Sequence, residues 1–394
     1  MADKTALAES AQALLCAVAD LLGKTKSNQI FDEKLYPEYA DFRAKVGKNE
    51  INKSLQRIVT PGVSGDAIET FLTDDNSWYI SSIKIAKKLV NDIGDIDKDL
   101  KIGAAGFQKL FYFRGDNEIM GNIENLFKIA NKQKYTTQPK FGNVNKWSPA
   151  DIYLGSNKAK ASIKQDLIKA QNESYYDFPS LNSLVSDLID TGDLLPLSLK
   201  KVTKTEPILQ LVNFDRKTEI KIINKVKVKN VTDWQKYKKV KYGQKAETRD
   251  MRIMLQSGGE IKLRHDPSAK RFVAEAIFSK AEARGGSIGS IKVFCQLLGF
   301  IDRGLANSTL KKYQAGEQKY FKALEKIEYL RKDKKRFDFE RGAISAIFII
   351  NKIMPDLKRF FKENKQDKAN QFLRLAFEYI TSRTPLSGQF VIAK

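Results

Sequence analysis

The residues between Pro179 and Val202 constrain the fold more than any other part of the chain. A helical pattern runs from 181 to 189, and Gly192 ends it. An apolar strand follows at 194–202 and carries Lys200 near its end. A helix that leads through a tight turn into an apolar strand predicts a fold in which helices pack on a β-sheet.

The rest of the chain predicts a helical beginning, a strand-rich middle and a helical end. Residues 5–22 place apolar side chains at helical spacing, with Gly23 as the C-cap, and a long helical pattern covers 103–131 with a break at Gly115. Further strands are predicted at 146–154, 208–214, 219–228, 251–256, 260–264 and 271–278. We therefore predict an α+β protein with an N-terminal helical region at 1–102, a central mixed-sheet domain at 103–300 and a C-terminal helical region at 301–394.

The charge of the chain points to a polyanionic partner. The sequence has 69 lysines and arginines against 47 aspartates and glutamates, a formal net charge of +22. Such an excess attracts nucleic acid phosphates or anionic lipids. We do not expect a membrane partner, because the apolar run at 343–350 is too short to span a bilayer. Asp3, Lys4 and Glu9 interrupt any signal-peptide pattern, so we expect a protein that is not secreted.

Cysteine and histidine limit the possible chemistry. Cys16 and Cys295 both lie among apolar neighbours, which predicts buried free thiols instead of a disulfide framework. His265 is the single histidine, so zinc sites with two histidines and pairs of catalytic histidines are excluded. Any hydrolysis by this chain would use carboxylates and lysines.

Two short segments resemble the active-site signature of the PD-(D/E)XK nuclease superfamily, over residues 103–278 at most. The first is Trp-Ser-Pro-Ala-Asp-Ile-Tyr at 147–153, and the second is Leu-Pro-Leu-Ser-Leu-Lys at 195–200. Pro149 and Asp151 match the first half of the signature, while Ser198 and Lys200 match the second. The resemblance implies a restriction-endonuclease-like central domain.

The resemblance also implies a reaction. Side chains two apart on a strand face the same way, so Ser198 and Lys200 would point into one site. Asp151 would hold Mg²⁺ or Mn²⁺ against a phosphate, and Lys200 would stabilise the developing charge. Ser198 stands where the family has a second acid. Candidates for the missing carboxylate are Glu118, Glu124 and Glu275.

A basic segment at 216–249 is the predicted nucleic-acid surface. Lysines at alternate positions, Lys225, Lys227 and Lys229, would lie on one face of a strand and follow a phosphate backbone. A glycine-rich turn at 283–289 could hold a phosphate beside Arg284, and a second basic run lies at 311–336. The predicted nucleic-acid-binding residues are Lys221, Lys225, Lys227, Lys229, Lys238, Lys239, Lys241 and Arg284.

These features support two functions of different classes. The first is metal-dependent cleavage of DNA, with Asp151, Ser198, Lys200 and Glu275 in the site. The second is a non-catalytic DNA-binding or virion structural protein that retains the nuclease-like fold. RNA binding also fits the charge. Because the segments 147–152 and 284–286 resemble tailed-bacteriophage proteins, we expect the cytoplasm of an infected bacterium or a virion, with virion proteins as further partners.

Overall fold

A computed structural model shows two compact units built from non-contiguous segments. Unit 1 comprises residues 1–134, 143–215 and 386–394, and unit 2 comprises 135–142 and 216–385. The division into regions at 102 and 300 stays a prediction. The structure describes residues 3–96, 110–173, 175–202, 206–232, 251–256, 258–266, 271–277, 287–363 and 368–394.

Unit 1 contains a mixed sheet, so the prediction of a mixed α and β fold is confirmed. Within the described residues its strands lie in the order β1-β2-β3-β4-β10-β5. The pairs β1–β2 and β4–β10 are parallel and the other neighbours are antiparallel. The strands are β1 (Ile58–Val59), β2 (Phe111–Phe113), β3 (Ile152–Gly155), β4 (Leu194–Leu199), β5 (Leu209–Val212) and β10 (Phe390–Ala393).

Helices cover the sheet of unit 1. They are α1 (Lys4–Ile30), α2 (Tyr39–Val46), α3 (Lys48–Leu55), α4 (Gly65–Asp74), α5 (Asn76–Ile96), α6 (Met120–Ala130), α7 (Val144–Trp147), α8 (Asn157–Asn172) and α9 (Phe178–Asp190). Helix α1 packs against α5 and the strands β1 and β2, whereas α9 packs against β4. All six residues of β4 are buried, because the strand lies between β3 and β10 with helices above it.

Helix α1 is a core helix. Its apolar residues form one cluster with α5 and the central strands, and Gly23 interrupts the helix with φ of 74°, as the predicted C-cap requires. By length and composition α1 could cross a membrane, but 72 % of its apolar window is buried inside the protein. The buried thiol of Cys16 packs in the same cluster and, like that of Cys295, is free, as predicted.

The helical pattern predicted at 103–131, with its break at Gly115, is confirmed only after that break. Residues Phe111–Phe113 form β2, and the helix begins only at Met120. Between them Gly115 adopts φ of 60°, and the buried Asp116 carboxylate accepts the backbone N–H groups of Glu118 and Ile119 at 2.7 and 2.6 Å. This side-chain capping starts a new helix and ends the strand.

Unit 2 contains a second sheet with helices beside it. Within the described residues the antiparallel order is β6-β7-β8-β9, with β6 (Val228–Thr232), β7 (Met251–Leu255), β8 (Glu260–Asp266) and β9 (Arg271–Ile277). The predicted hairpin between β7 and β8 is confirmed. The helices are α10 (Arg216–Asn224), α11 (Ile291–Gly299), α12 (Arg303–Gly316), α13 (Lys322–Leu324), α14 (Glu328–Lys332), α15 (Lys334–Phe348), α16 (Met354–Glu363) and α17 (Lys368–Ile380), with π-helical turns at Glu317–Phe321 and Ile349–Ile353.

The strand predicted at 219–228 is also wrong, since α10 occupies most of it. The burial of Glu219 and Ile223 explains the difference, because side chains four apart share one face of a helix. Glu219 forms a buried ion pair with Arg383, whose side chain is 1 % exposed. An isolated buried carboxylate would be costly, so this tertiary partner stabilises the helical conformation.

Candidate active site

Asp151 stands immediately before β3 and is held by the end of β4. Its backbone N–H donates to the carbonyl oxygen of Leu197 at 2.9 Å, which continues the pairing of the two antiparallel strands. Its carboxylate oxygen Oδ2 accepts the N–H of Leu199 at 2.5 Å and the hydroxyl of Ser198 at 3.3 Å. The sheet backbone therefore fixes the orientation of this carboxylate.

Lys200 follows β4 directly and completes the cluster. Its ammonium nitrogen Nζ donates to Ser198 Oγ at 2.8 Å and lies 3.7 Å from Asp151 Oδ2. Its backbone N–H donates to the carbonyl oxygen of Ala393 at 2.8 Å, at the end of β10. The structure thus brings together the three residues that the two segments proposed, although their roles stay predictions.

The exposed fractions of the Asp151, Ser198 and Lys200 side chains differ, and this difference limits the role that each can have. The side chains of Asp151 and Lys200 are 29 % and 22 % exposed, whereas Ser198 is only 1 % exposed. Because the Ser198 hydroxyl accepts from Lys200 and donates to Asp151, its oxygen is enclosed on both sides. Ser198 therefore positions the carboxylate and the ammonium group and is not a reachable nucleophile.

The charge of Asp151 acts on a second carboxylate, Glu9, which no sequence motif indicates. It lies on α1, and Arg114 Nε donates to its Oε2 at 2.8 Å. Burial raises the pKa of Glu9, and the negative charge of Asp151 raises it further, while Arg114 acts in the opposite direction. A carboxyl group whose pKa responds to Asp151 lies within electrostatic reach of it.

The three acids suggested for the missing carboxylate, Glu118, Glu124 and Glu275, make other contacts. Glu118 forms an ion pair with Lys160, and Glu124 forms one with Lys128, each at 2.8 Å on the surface of unit 1. Glu275 lies on β9 of unit 2, in register with Lys262. Its part in the site stays a prediction.

The carboxylates of the candidate site can be compared with what a divalent cation requires. Among the described residues no three His, Cys, Asp or Glu side chains converge to form a closed metal cage. Mg²⁺ nevertheless binds through one or two carboxylates and keeps several waters. Asp151 can supply one of them, and the hydrogen bonds shown for its carboxylate all end on Oδ2.

The predicted nucleic-acid surface is partly described. Lys221 lies on α10, Lys225 and Lys227 lie in the connection that follows, and Lys229 lies on β6, so they do not share one strand as predicted. All four are exposed, and buried Val226 and Val228 alternate with them. Within the described residues none of the four has an acidic partner. Lys238, Lys239, Lys241 and Arg284 lie outside the described residues.

Comparisons with known proteins provide no relative for this arrangement: no family model, curated protein or solved structure matches the chain. The chemistry of the cluster of Asp151, Ser198, Lys200 and Glu9 therefore has to be inferred from its geometry.

Proposed function

We propose that this protein binds nucleic acid and hydrolyses phosphodiester bonds at the cluster of Asp151, Ser198, Lys200 and Glu9. The observation that carries the proposal is the ammonium group of Lys200 lying 3.7 Å from the Asp151 carboxylate at the adjoining ends of β3 and β4. The resemblance of the segments at 147–153 and 195–200 to PD-(D/E)XK nucleases supports it. A restriction-endonuclease-like fold for unit 1 is part of the proposal.

The residues divide the work according to their charge and exposure. Asp151 and Glu9 would hold Mg²⁺ or Mn²⁺, which supplies charge neutralisation and a water of lowered pKa. Lys200, partly exposed, stabilises negative charge on a phosphoryl oxygen. Ser198 keeps the Asp151 and Lys200 side chains in register, and Arg114 orients Glu9.

The basic residues of unit 2 supply binding without sequence preference. Lys221, Lys225, Lys227 and Lys229 are exposed and lack acidic partners among the described residues. Their contacts to phosphates release counterions and carry little sequence information. DNA is the proposed substrate, with RNA as the alternative that the same charges accommodate.

A second candidate function is supported by the hydrogen bonds and the positive charge that already compensate the Asp151 carboxylate. Its Oδ2 accepts from Leu199 and Ser198 and faces the Lys200 ammonium group. A charge compensated in this way needs no cation. The alternative is therefore a non-catalytic DNA-binding protein, such as a bacteriophage virion component that holds the genome, in the cytoplasm of an infected bacterium or in the particle.

The experiment compares wild type with Asp151→Asn on duplex DNA, single-stranded DNA and RNA at low salt, in Mg²⁺, Mn²⁺ or EDTA. We expect metal-dependent cleavage by wild type only, with nucleic-acid binding retained by both. Asparagine keeps an oxygen for the Leu199 N–H, so the strands stay paired. Glu124→Gln, which removes a surface ion pair instead, should cleave normally. Binding without cleavage in any metal would favour the non-catalytic alternative.

A further inference from the structure

An exposed aromatic ring lies among cations where α14 leads into α15 in unit 2. Tyr329 is 55 % exposed, and the guanidinium carbon of Arg336 lies 5.0 Å from the centroid of its ring. The next residue, Leu330, is buried and anchors α14. The tyrosine ring is thus held on the surface, with a cation over one face.

The charges around this ring are mostly uncompensated. Glu328 forms an ion pair with Lys332 at 2.9 Å, and Asp333 Oδ1 accepts the backbone N–H of Arg336 at 3.0 Å. The remaining cations, Arg331, Lys334 and Lys335, are exposed and have no acidic partner within the described residues. The net charge of residues 328–336 is positive, with five cations against two acids.

The start of α15 is strongly basic. Lys334, Lys335 and Arg336 occupy the first turn of α15, which contains no acid. Each positive charge there opposes the helix dipole at a cost of about 0.3–1 kcal/mol. The Tyr329 ring is also unlike that of Tyr320, which packs against Phe348 with 5.7 Å between centroids. Among the described contacts of Tyr329, the ring partner is the Arg336 guanidinium.

We propose that this surface, the Tyr329 platform of Tyr329, Arg331, Lys334, Lys335 and Arg336, binds single-stranded nucleic acid. An unpaired base stacks on the ring face opposite Arg336, and the flanking phosphates contact the free cations. Bases inside a duplex are stacked on each other and cannot reach the ring. The inference shares the nucleic-acid partner with the proposed function, but it does not require cleavage.

The test measures affinity by fluorescence anisotropy in EDTA, with the full chain. The probes are an oligothymidylate of about 16 nucleotides, the matching oligouridylate and a duplex of the same length. We expect Tyr329→Ala to bind the single strands about 5- to 100-fold more weakly, with duplex affinity unchanged within about twofold. Tyr175→Ala is the matched control, because Tyr175 is 61 % exposed but no cation is described over its ring.

Further variants separate stacking from charge and folding. Tyr329→Trp should bind single strands at least as well as wild type, because tryptophan also stacks on bases. If the role of Tyr329 were only structural, we would not expect this result. The double variant Lys334→Gln and Lys335→Gln should bind single strands with a weaker salt dependence. The slope of log binding constant against log salt concentration should fall by about 1.4. Unchanged single-strand affinity in Tyr329→Ala, or an equal loss for duplex, would overturn the proposal. If polyglutamate displaces the single strands equally well from wild type and from Tyr329→Ala, the surface binds acidic polymers without the ring. That result would also overturn the proposal, in favour of an acidic protein partner. Because cleavage is absent in EDTA, these outcomes stand apart from the fate of the nuclease proposal.

Discussion

At the scale of single residues, Ser198 determines how the candidate site behaves. It stands where the PD-(D/E)XK signature, which the segment only resembles, has an acid, and it is 1 % exposed and links Lys200 to Asp151 through its hydroxyl. A hydroxyl adds no charge and is a weak ligand for a hard cation. In the proposed site, the cation ligands are therefore carboxylates and not Ser198.

Replacement of Ser198 by aspartate should strengthen cation binding. The added carboxylate would stand beside Asp151, so the two negative charges repel each other in metal-free protein and attract a divalent cation. We expect Ser198→Asp to have a lower Tm than wild type in EDTA and a larger rise in Tm with Mg²⁺, because a ligand that binds the folded state stabilises it. Ser198→Ala is the control and should lose about 1 kcal/mol without gaining cation affinity. Equal Mg²⁺ responses in all three proteins would contradict the placement of the site.

The sequence could predict the residues of the site that are set by local spacing. Ser198 and Lys200 are two apart at the end of one strand, so the period of a β-strand brings them together. Glu9 could not be found in this way, because its approach to Asp151 depends on how α1 packs on the sheet. In the sequence Glu9 is one acidic residue in an apolar helical pattern, and nothing in that pattern links it to Asp151.

At the scale of elements, an ion pair connects α1 to the sheet. Asp20 on α1 pairs with Arg57, which precedes β1, and Arg57 also donates to the carbonyl oxygen of Leu110, just before β2. Burial raises the pKa of Asp20 to about 6, against the opposing effect of Arg57. The carboxyl group of the folded protein therefore binds a proton more readily than it does in the unfolded chain.

This shift gives a pH dependence with a defined sign. The pKa of Asp20 is raised on folding, so its contribution to stability is complete below the usual carboxyl value of 3.8 and is lost as pH rises through about 6. The free energy of unfolding of wild type, minus that of Asp20→Asn, should therefore decrease between these values. Urea titrations across that pH window measure the difference. A difference that grows with pH would show that Arg57 keeps the pKa of Asp20 low.

The last strand should be essential to unit 1. Val391 in β10 is opposite Leu197 on one side and Leu211 on the other, and it is fully buried. Val391→Pro should unfold or severely destabilise unit 1, because proline removes a backbone donor and is not tolerated in a central strand. Val391→Ala should lose only side-chain burial, about 1–3 kcal/mol. Circular dichroism with urea unfolding compares them, and similar stabilities for both variants would contradict the central position of β10.

Elements with strong local patterns were predictable, and those set by distant partners were not. The helix at Phe178–Asp190 and the strand Leu194–Leu199 follow from their own periods. The position of Phe390–Ala393 could not be predicted, since nothing local shows that this strand inserts between β4 and β5. The local pattern of α10 predicts a strand, because the buried partner of Glu219 that favours the helix is Arg383, far away in the sequence.

At the scale of the whole molecule, the net charge of +22 predicts binding that weakens with salt. We expect weaker duplex binding when glutamine replaces Lys221, Lys225, Lys227 and Lys229. The slope of log binding constant against log salt concentration should fall by about 3 to 4. The matched control replaces four lysines of unit 1 that already pair with acids, which are Lys128, Lys158, Lys160 and Lys169. Binding isotherms at several salt concentrations compare the two sets. An equal effect of both would show that only total charge matters.

The central claim is that Asp151 and Glu9 form a divalent-cation site beside Lys200. Titration of Mn²⁺ into the nucleic-acid-free protein, followed by electron paramagnetic resonance of the free ion, tests it most directly. We predict a bound Mn²⁺ that is lost in Asp151→Asn, weakened in Glu9→Gln and retained in Glu124→Gln, with affinity rising as pH increases through the raised pKa of Glu9. Equal Mn²⁺ binding by wild type and Asp151→Asn would contradict the claim.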